Sequence, residues 1–294
     1  MILSMRLLPM RRKNIPKSYD RRWRIKMKVL KIIGNFFAAM VPFFVFYTAQ
    51  IIVVLLGIFI AFAVEMMSSS SIPDTISTES VFAVGIVTNL ICFFAAFAEM
   101  KIHRFSFRDI SPVRQNGRVY ITSVFFAVGA FFVFKLAESL VMKIAGVPVA
   151  AIPQEMTSSM IVLTYIAYLT DPFLEEFVFR GLMFRTFEKR FPAWVGAAVA
   201  TITFALMYFN NSVCYFLLFG AALMFIRYKF GDLKLCILVH LIVSVISVTI
   251  SLVKAEYYES IINIGGTVGV VIAAAAMFFM LKFASRSDSA SDNA

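Results

Sequence analysis

The sequence predicts an all-α, polytopic membrane protein with about eight transmembrane helices, and three observations support this fold class. Apolar residues make up 61% of the 294 residues, whereas charged residues make up only 15%. Apolar stretches recur along the chain at the length that an α-helix needs to cross a bilayer, about 17 to 25 residues. The basic residues concentrate in the connections that would lie on one side of the membrane. A soluble domain would not combine these features.

The apolar stretches divide the chain into three parts. We expect a basic cytoplasmic arm at residues 1–35, a membrane-embedded domain at 36–284 and a disordered polar tail at 285–294. The boundary between the fifth and sixth spans rests on a short polar interruption at 209–212. The predicted spans are 36–64, 80–100, 119–142, 158–179, 194–209, 212–228, 234–253 and 262–283.

The lysines and arginines set the predicted orientation. If the N-terminus is cytoplasmic, all 28 of them except Lys135, Lys143 and Lys254 fall in cytoplasmic segments or at their edges. Such a bias is the positive-inside pattern of membrane proteins. We therefore expect a multi-pass protein of the cell membrane with both termini in the cytoplasm. The net charge of +11 then reflects orientation in the lipid bilayer, and we expect no nucleic-acid partner.

The chain is poor in metal-binding and disulfide-forming residues. It has two histidines, His103 and His240, and three cysteines that all fall in predicted spans. The helical zinc signature, with two histidines four residues apart, is absent from the sequence. An odd number of cysteines does not indicate a disulfide framework. We expect no metal and no cofactor.

Ionisable residues occur at two places inside the predicted spans, where they are rare and often functional. Lys135 and Glu138 are three residues apart in the third span, so they can neutralise each other across one helix face. A structural pair is the simpler interpretation, although a transporter would also use such a pair. The second place is a stretch of the fourth span, Asp171-Pro172-Phe173-Leu174-Glu175-Glu176-Phe177-Val178-Phe179-Arg180-Gly181.

The two adjacent glutamates of this stretch have different surroundings in a helix. Glu176 and Arg180 are four residues apart in the favourable order for an ion pair. Glu175 points about 100° away and shares a face with Asp171, so Arg180 does not neutralise it locally. A carboxylate in this position is suited to act as a general base or acid. Pro172 removes a backbone donor, and we expect it to kink the helix and to open space beside Glu175.

Four polar residues on three helices fall at a similar predicted depth. At 1.5 Å per residue, Glu175 and Tyr208 lie roughly 20 Å from the cytoplasmic helix ends, and His240 and Ser244 lie about 10 to 18 Å from theirs. Singly, Tyr208, His240 and Ser244 are more typical of hydrogen-bonded core residues than of a functional site. Their combination with Glu175 predicts a site that is reachable from the cytoplasm.

These residues also form a spaced motif over residues 172–244. The motif reads Pro172-x-x-Glu175-Glu176-x-x-x-Arg180-Gly181, Phe204-x-x-x-Tyr208, Phe216 to Gly220, Gly231 and His240-x-x-x-Ser244. It resembles the CPBP or Abi family, the CAAX-processing and bacteriocin-processing intramembrane proteases, which includes the type II CAAX prenyl endopeptidase. The eight predicted helices agree with this resemblance.

The resemblance implies a catalytic role for several residues. Glu175 would be the general base that activates water, with Glu176 and Arg180 as supporting residues. His240 would stabilise the oxyanion at the scissile carbonyl. The implied activity is hydrolysis of a peptide bond in a peptide or prenylated protein substrate, in a site that faces the cytoplasm. The sequence gives no indication of the oligomeric state.

Two departures from the family pattern leave other functions open. Tyr208 replaces the histidine that helps to hold the water, and Ser244 replaces an asparagine that helps to stabilise the oxyanion. A phenol with a pKa near 10 can donate a hydrogen bond but cannot exchange a proton near neutral pH as imidazole can. One alternative is a catalytically degenerate member that acts as a binding, immunity or scaffold protein. Another is a transporter or lipid-handling protein that uses Asp171 and the Lys135 and Glu138 pair.

Overall fold

The structure is a computed structural model and describes residues 17–68, 78–146, 157–208, 213–253 and 255–284. These residues form α-helices and one π-helical segment, with no strand among them, which confirms the all-α prediction. The elements are α1 (Lys17–Ser68), α2 (Thr78–Ile102), α3 (Phe107–Ile110), α4 (Gly117–Ala145), α5 (Ser158–Glu176), the π segment (Phe177–Met183), α6 (Phe184–Glu188), α7 (Ala193–Met207), α8 (Val213–Phe230), α9 (Leu233–Ser251) and α10 (Ala255–Phe283).

Each predicted span corresponds to helical structure. In the described ranges, six helices are long and apolar enough to cross a membrane, namely α1, α2, α4, α8, α9 and α10. Helix α7 is apolar but shorter, and the charged fourth span forms the continuous run from α5 through α6. The chain is thus a polytopic membrane protein. Helix α1 begins within the predicted basic arm, whereas residues 1–16, the interruption at 209–212 and the predicted tail at 285–294 lie outside the described residues.

The π segment lies at the centre of the helix bundle. All seven of its residues are buried, and it packs against α1, α2, α7 and α9 as well as the helices that it joins. The sequence predicts a kink at Pro172, which the structure places inside α5 and buries. The departure from α-helical geometry comes five residues later, where the chain widens into π turns. Such turns occur frequently at functional sites.

Helix α9 is anchored at its first turn by a buried acidic cap. Asp232 accepts a hydrogen bond from the Lys234 backbone N–H at 3.0 Å, which caps the helix. The same carboxylate accepts from the Tyr120 hydroxyl at 2.5 Å and from the Gln115 backbone N–H at 3.2 Å. These bonds join α9 to α4 and to the loop before α4, and so fix the depth of the residues further along α9.

Helices α4 and α10 approach each other closely through glycines. A Cβ atom on Gly129 would lie 2.7 Å from both the Gly269 carbonyl oxygen and the Ala273 backbone nitrogen. Small residues permit such backbone contact between membrane helices, whose association depends on close packing. The pair therefore closes the bundle on the side away from the π segment.

Candidate functional site

Glu175 lies in the last turn of α5, where it meets the end of α7. Its Oε1 accepts a hydrogen bond from the hydroxyl of Tyr208. The Tyr208 ring stacks on Phe216 of α8, with the ring centroids 3.6 Å apart and the planes at 7°. This stacking holds the phenol in place and therefore fixes the direction from which its hydroxyl reaches Glu175. The other oxygen, Oε2, is buried and has no hydrogen-bond partner in the described part of the chain.

Glu176 forms the predicted ion pair with Arg180. Arg180 Nη1 donates to Glu176 Oε1 at 2.9 Å, and both side chains are completely buried. Arg180 Nη2 also donates to the Gly220 carbonyl at 3.2 Å, and its guanidinium lies 4.3 Å from the centroid of the Phe204 ring. A Cβ on Gly220 would lie 2.9 Å from the Phe204 ring, so only glycine permits this close approach of α8.

His240 of α9 lies between the two carboxylates. Its Nδ1 is 2.8 Å from Glu176 Oε1, and its Nε2 is 3.7 Å from Glu175 Oε2. An ionised carboxylate only accepts hydrogen bonds, so Nδ1 carries a proton in this contact. The Phe219 ring packs edge-on against the imidazole with a centroid separation of 4.8 Å. The structure thus brings together five of the residues that the sequence selected, and His240 connects both glutamates.

Ser244 is less closely associated with this cluster. It is buried one helical turn beyond His240 on α9. Within the described residues, the hydrogen bonds that join the cluster do not involve Ser244. Its role as an auxiliary residue therefore stays a prediction.

A pocket of about 460 Å³ borders Glu175 and Tyr208. The wall opposite them comes from α1, with an apolar surface and one amide side chain, Gln50. Asp171, one turn before Glu175 on α5, lies in the same pocket and accepts a hydrogen bond from Asn89 of α2. The sequence predicts that Asp171 shares a helix face with Glu175, and both residues line this pocket.

Arg227 is the residue of the site region that sequence reasoning missed. From the sequence, Arg227 was interpreted only as one of the basic residues on the cytoplasmic side. In the structure, however, its side chain is just 4% exposed. Its Nε donates to the carbonyl of Arg180 at 2.9 Å and its Nη2 to the carbonyl of Ile110 at 2.6 Å. The first of these carbonyls belongs to the π segment. An arginine at the edge of an apolar span carries no signal that separates this buried role from a topological one.

The described ranges contain no candidate metal site. No cluster there has three or more His, Cys, Asp or Glu side chains that could hold a metal ion. The prediction of no cofactor stays a prediction.

Comparison with known proteins identifies the region that holds this cluster. Residues 157–246 match the family model of the Rce1-like type II CAAX prenyl endopeptidases. This region has the Rce1-like family pattern. The match begins at the N-cap of α5 and ends in α9, so the Rce1-like region includes both glutamates, Arg180, Tyr208 and His240. The match to this family model confirms the resemblance found in the sequence. The chain matches no curated protein and no solved structure.

Proposed function

We propose that the chain is a membrane-embedded endopeptidase of the CAAX type, in which Glu175 activates water for attack on a peptide bond. One observation carries the proposal: the unpartnered Oε2 of Glu175 lies 3.7 Å from His240 Nε2. This separation is too long for a direct hydrogen bond. Because Oε2 is buried, a small movement of either side chain would be needed to admit a water molecule that contacts both atoms. The Rce1-like region supports the same chemistry, because it is the region of a protease family.

The proposed reaction proceeds by general base catalysis. Glu175 takes a proton from the water while the water oxygen forms a bond to the scissile carbonyl carbon. The carbonyl oxygen becomes an oxyanion. When the C–N bond breaks, Glu175 returns the proton to the departing amine. The products are a carboxylic acid and an amine, so atoms and charge balance without a metal.

His240 contributes to this reaction through its second ring nitrogen. Nδ1 donates to Glu176, so the ring can donate to an oxyanion only when Nε2 also carries a proton. In that doubly protonated form, Arg180 and His240 would be positive, and Glu175 and Glu176 negative. A balanced cluster reduces the cost of holding these groups in a low-dielectric bundle.

The substrate is proposed to be a peptide or prenylated protein segment that enters from the cytoplasmic side. The pocket beside Glu175 has mostly apolar walls and polar groups near the carboxylate. Such a lining fits an apolar side chain or lipid group attached to a peptide backbone. The polar groups would then contact the backbone near the bond to be cut.

A decisive experiment compares the wild type with Glu175→Gln and Tyr208→His in proteoliposomes. The substrate is an internally quenched farnesylated peptide, and release of its cleaved fragment is measured by mass spectrometry. Glu175→Gln keeps the shape of the side chain but removes the base, so we expect no cleavage. Glu138→Gln is the matched control, because it changes another buried glutamate outside the Rce1-like region. Wild-type turnover by Glu175→Gln would refute the proposal.

A degenerate binding protein is the second candidate function, and the contact of Tyr208 with Glu175 favours it. The hydroxyl occupies one oxygen of the base and cannot exchange protons near neutral pH. If this candidate is correct, the wild type binds the peptide without cutting it, and Glu175→Gln binds equally well. Cleavage by Tyr208→His alone would identify a degenerate protease whose missing group is the histidine.

A further inference from the structure

A second pocket, of about 560 Å³, lies where the loop after α2 meets the start of α9. One part of its lining is aromatic, with Phe93 of α2, Phe173 of α5 and Phe177 of the π segment. Phe93 is 38% exposed and Phe173 is 47% exposed. These apolar surfaces belong to helices of a membrane protein, so the pocket opens toward the bilayer.

The rim of the same pocket is basic. Arg108 of α3 and Lys234 in the first turn of α9 line it, and both side chains are exposed. Neither side chain has an ion-pair partner among the described residues, and no acidic residue lines the pocket. The nearby Asp232 is buried and accepts hydrogen bonds from Ser111, Gln115 and Tyr120. The rim therefore presents two basic side chains that form no ion pair within the described residues.

We propose that this pocket binds an anionic phospholipid, with the phosphate between Arg108 and Lys234 and an acyl chain along the aromatic wall. The rim and the wall match the two halves of such a lipid: two cations at helix ends, where headgroups lie, and an apolar slot that leads into the bundle. Basic pockets between transmembrane helices bind anionic headgroups in this way. The bilayer also supplies the lipid at high local concentration. The proposal is independent of whether the chain cleaves peptides.

Two residues of this pocket are close in sequence to the candidate site. Ile237 of its wall lies one turn before His240 on α9, and Phe177 directly follows Glu176. A bound acyl chain would therefore pack against the two elements that position the histidine and the ion pair. Lipid occupancy would stabilise this part of the bundle.

The test is native mass spectrometry of the full chain in detergent, titrated with phosphatidylglycerol and, separately, with phosphatidylcholine. Phosphatidylglycerol should bind more tightly. Arg108→Gln combined with Lys234→Gln should weaken its binding about 30-fold, or roughly fivefold for each removed cation. The matched control combines Arg114→Gln with Lys229→Gln, which removes the same charge from two exposed residues outside the pocket. The control should bind phosphatidylglycerol as the wild type does.

Several results would overturn the proposal. One is equal binding of the two lipids, and another is an equal loss of affinity in both double variants. Glycerol 3-phosphate tests the acyl part, because effective competition by this headgroup alone would show an anion site without a lipid chain. Displacement of phosphatidylglycerol by a farnesylated peptide would assign the pocket to a peptide ligand instead. Circular dichroism of each variant checks that its helix content is unchanged.

Discussion

The buried pair of Glu176 and Arg180 allows a quantitative prediction about stability. Both side chains are completely buried, and Arg180 is surrounded by a carboxylate, a carbonyl and an aromatic ring. Arg180→Met fills similar space but removes the guanidinium partner of Glu176, which then keeps only its contact with His240 Nδ1. Removal of one partner of a buried pair typically costs about 3–5 kcal/mol, because the other charge stays buried and uncompensated. We expect Arg180→Met to destabilise the protein by this amount.

A second substitution separates the charge effect from lost packing. In Glu176→Gln combined with Arg180→Met, no uncompensated charge is left, and the Gln oxygen can still accept from His240 Nδ1. The double variant should therefore be more stable than Arg180→Met, with a coupling energy near the upper end of the usual range, about 3 kcal/mol. Arg185→Met provides the control. Arg185 pairs with Glu188 at 3.1 Å, with both side chains partly exposed, 34% and 26%, and an exposed pair contributes at most about 1 kcal/mol.

The free energies of unfolding can be measured by titration with sodium dodecyl sulfate in mixed micelles, followed by far-ultraviolet circular dichroism. The reasoning predicts a large loss for Arg180→Met, a small loss for Arg185→Met and a partial recovery in the double variant. Two results would refute it. One is a loss for Arg180→Met no greater than that of the control, and the other is a double variant no more stable than Arg180→Met itself.

Three further predictions follow from contacts of the bundle. Tyr208→Phe should lower the free energy of unfolding by about 1–3 kcal/mol, because it leaves a Glu175 oxygen without its donor; full stability in the same titration would contradict this. Arg227→Met removes two hydrogen bonds from a charged donor to backbone carbonyls, and we expect a loss of at least about 1.5 kcal/mol, with unchanged unfolding as the contrary result. Gly129→Ala should lower the midpoint of thermal unfolding, because its Cβ meets backbone atoms at 2.7 Å, whereas Gly34→Ala, with open space around its Cβ, should not.

The sequence was sufficient to predict the helices and to predict that Glu175 and Glu176 have different partners. Hydrophobic length predicts each span, and helical geometry alone pairs Glu176 with Arg180 because they are four residues apart. The π segment was not predictable in this way, because an inserted residue changes which side chains share a face without changing the composition. Contacts between distant segments, such as Arg227 with the Arg180 carbonyl, also require the fold.

The same limit applies to His240. Its position in the sequence indicates depth in the membrane but not the direction of its ring. The structure turns Nδ1 toward Glu176, and this contact determines what the other nitrogen can do. The role of oxyanion donor, which the family resemblance implies, therefore depends on the charge of a neighbouring residue rather than on the histidine alone.

Because Tyr208 contacts one oxygen of Glu175, the function of the protein depends mainly on the other oxygen. The Tyr208 hydroxyl donates to Oε1, and this hydrogen bond makes that oxygen a weaker base. Oε2, the atom that faces His240 Nε2, has no such donor among the described residues and is therefore the better proton acceptor. A protease needs a water at this position, whereas a binding protein needs only a stable pocket wall. The two candidate functions thus share the same fold and the same buried charges, and they differ in what lies between two side chains 3.7 Å apart.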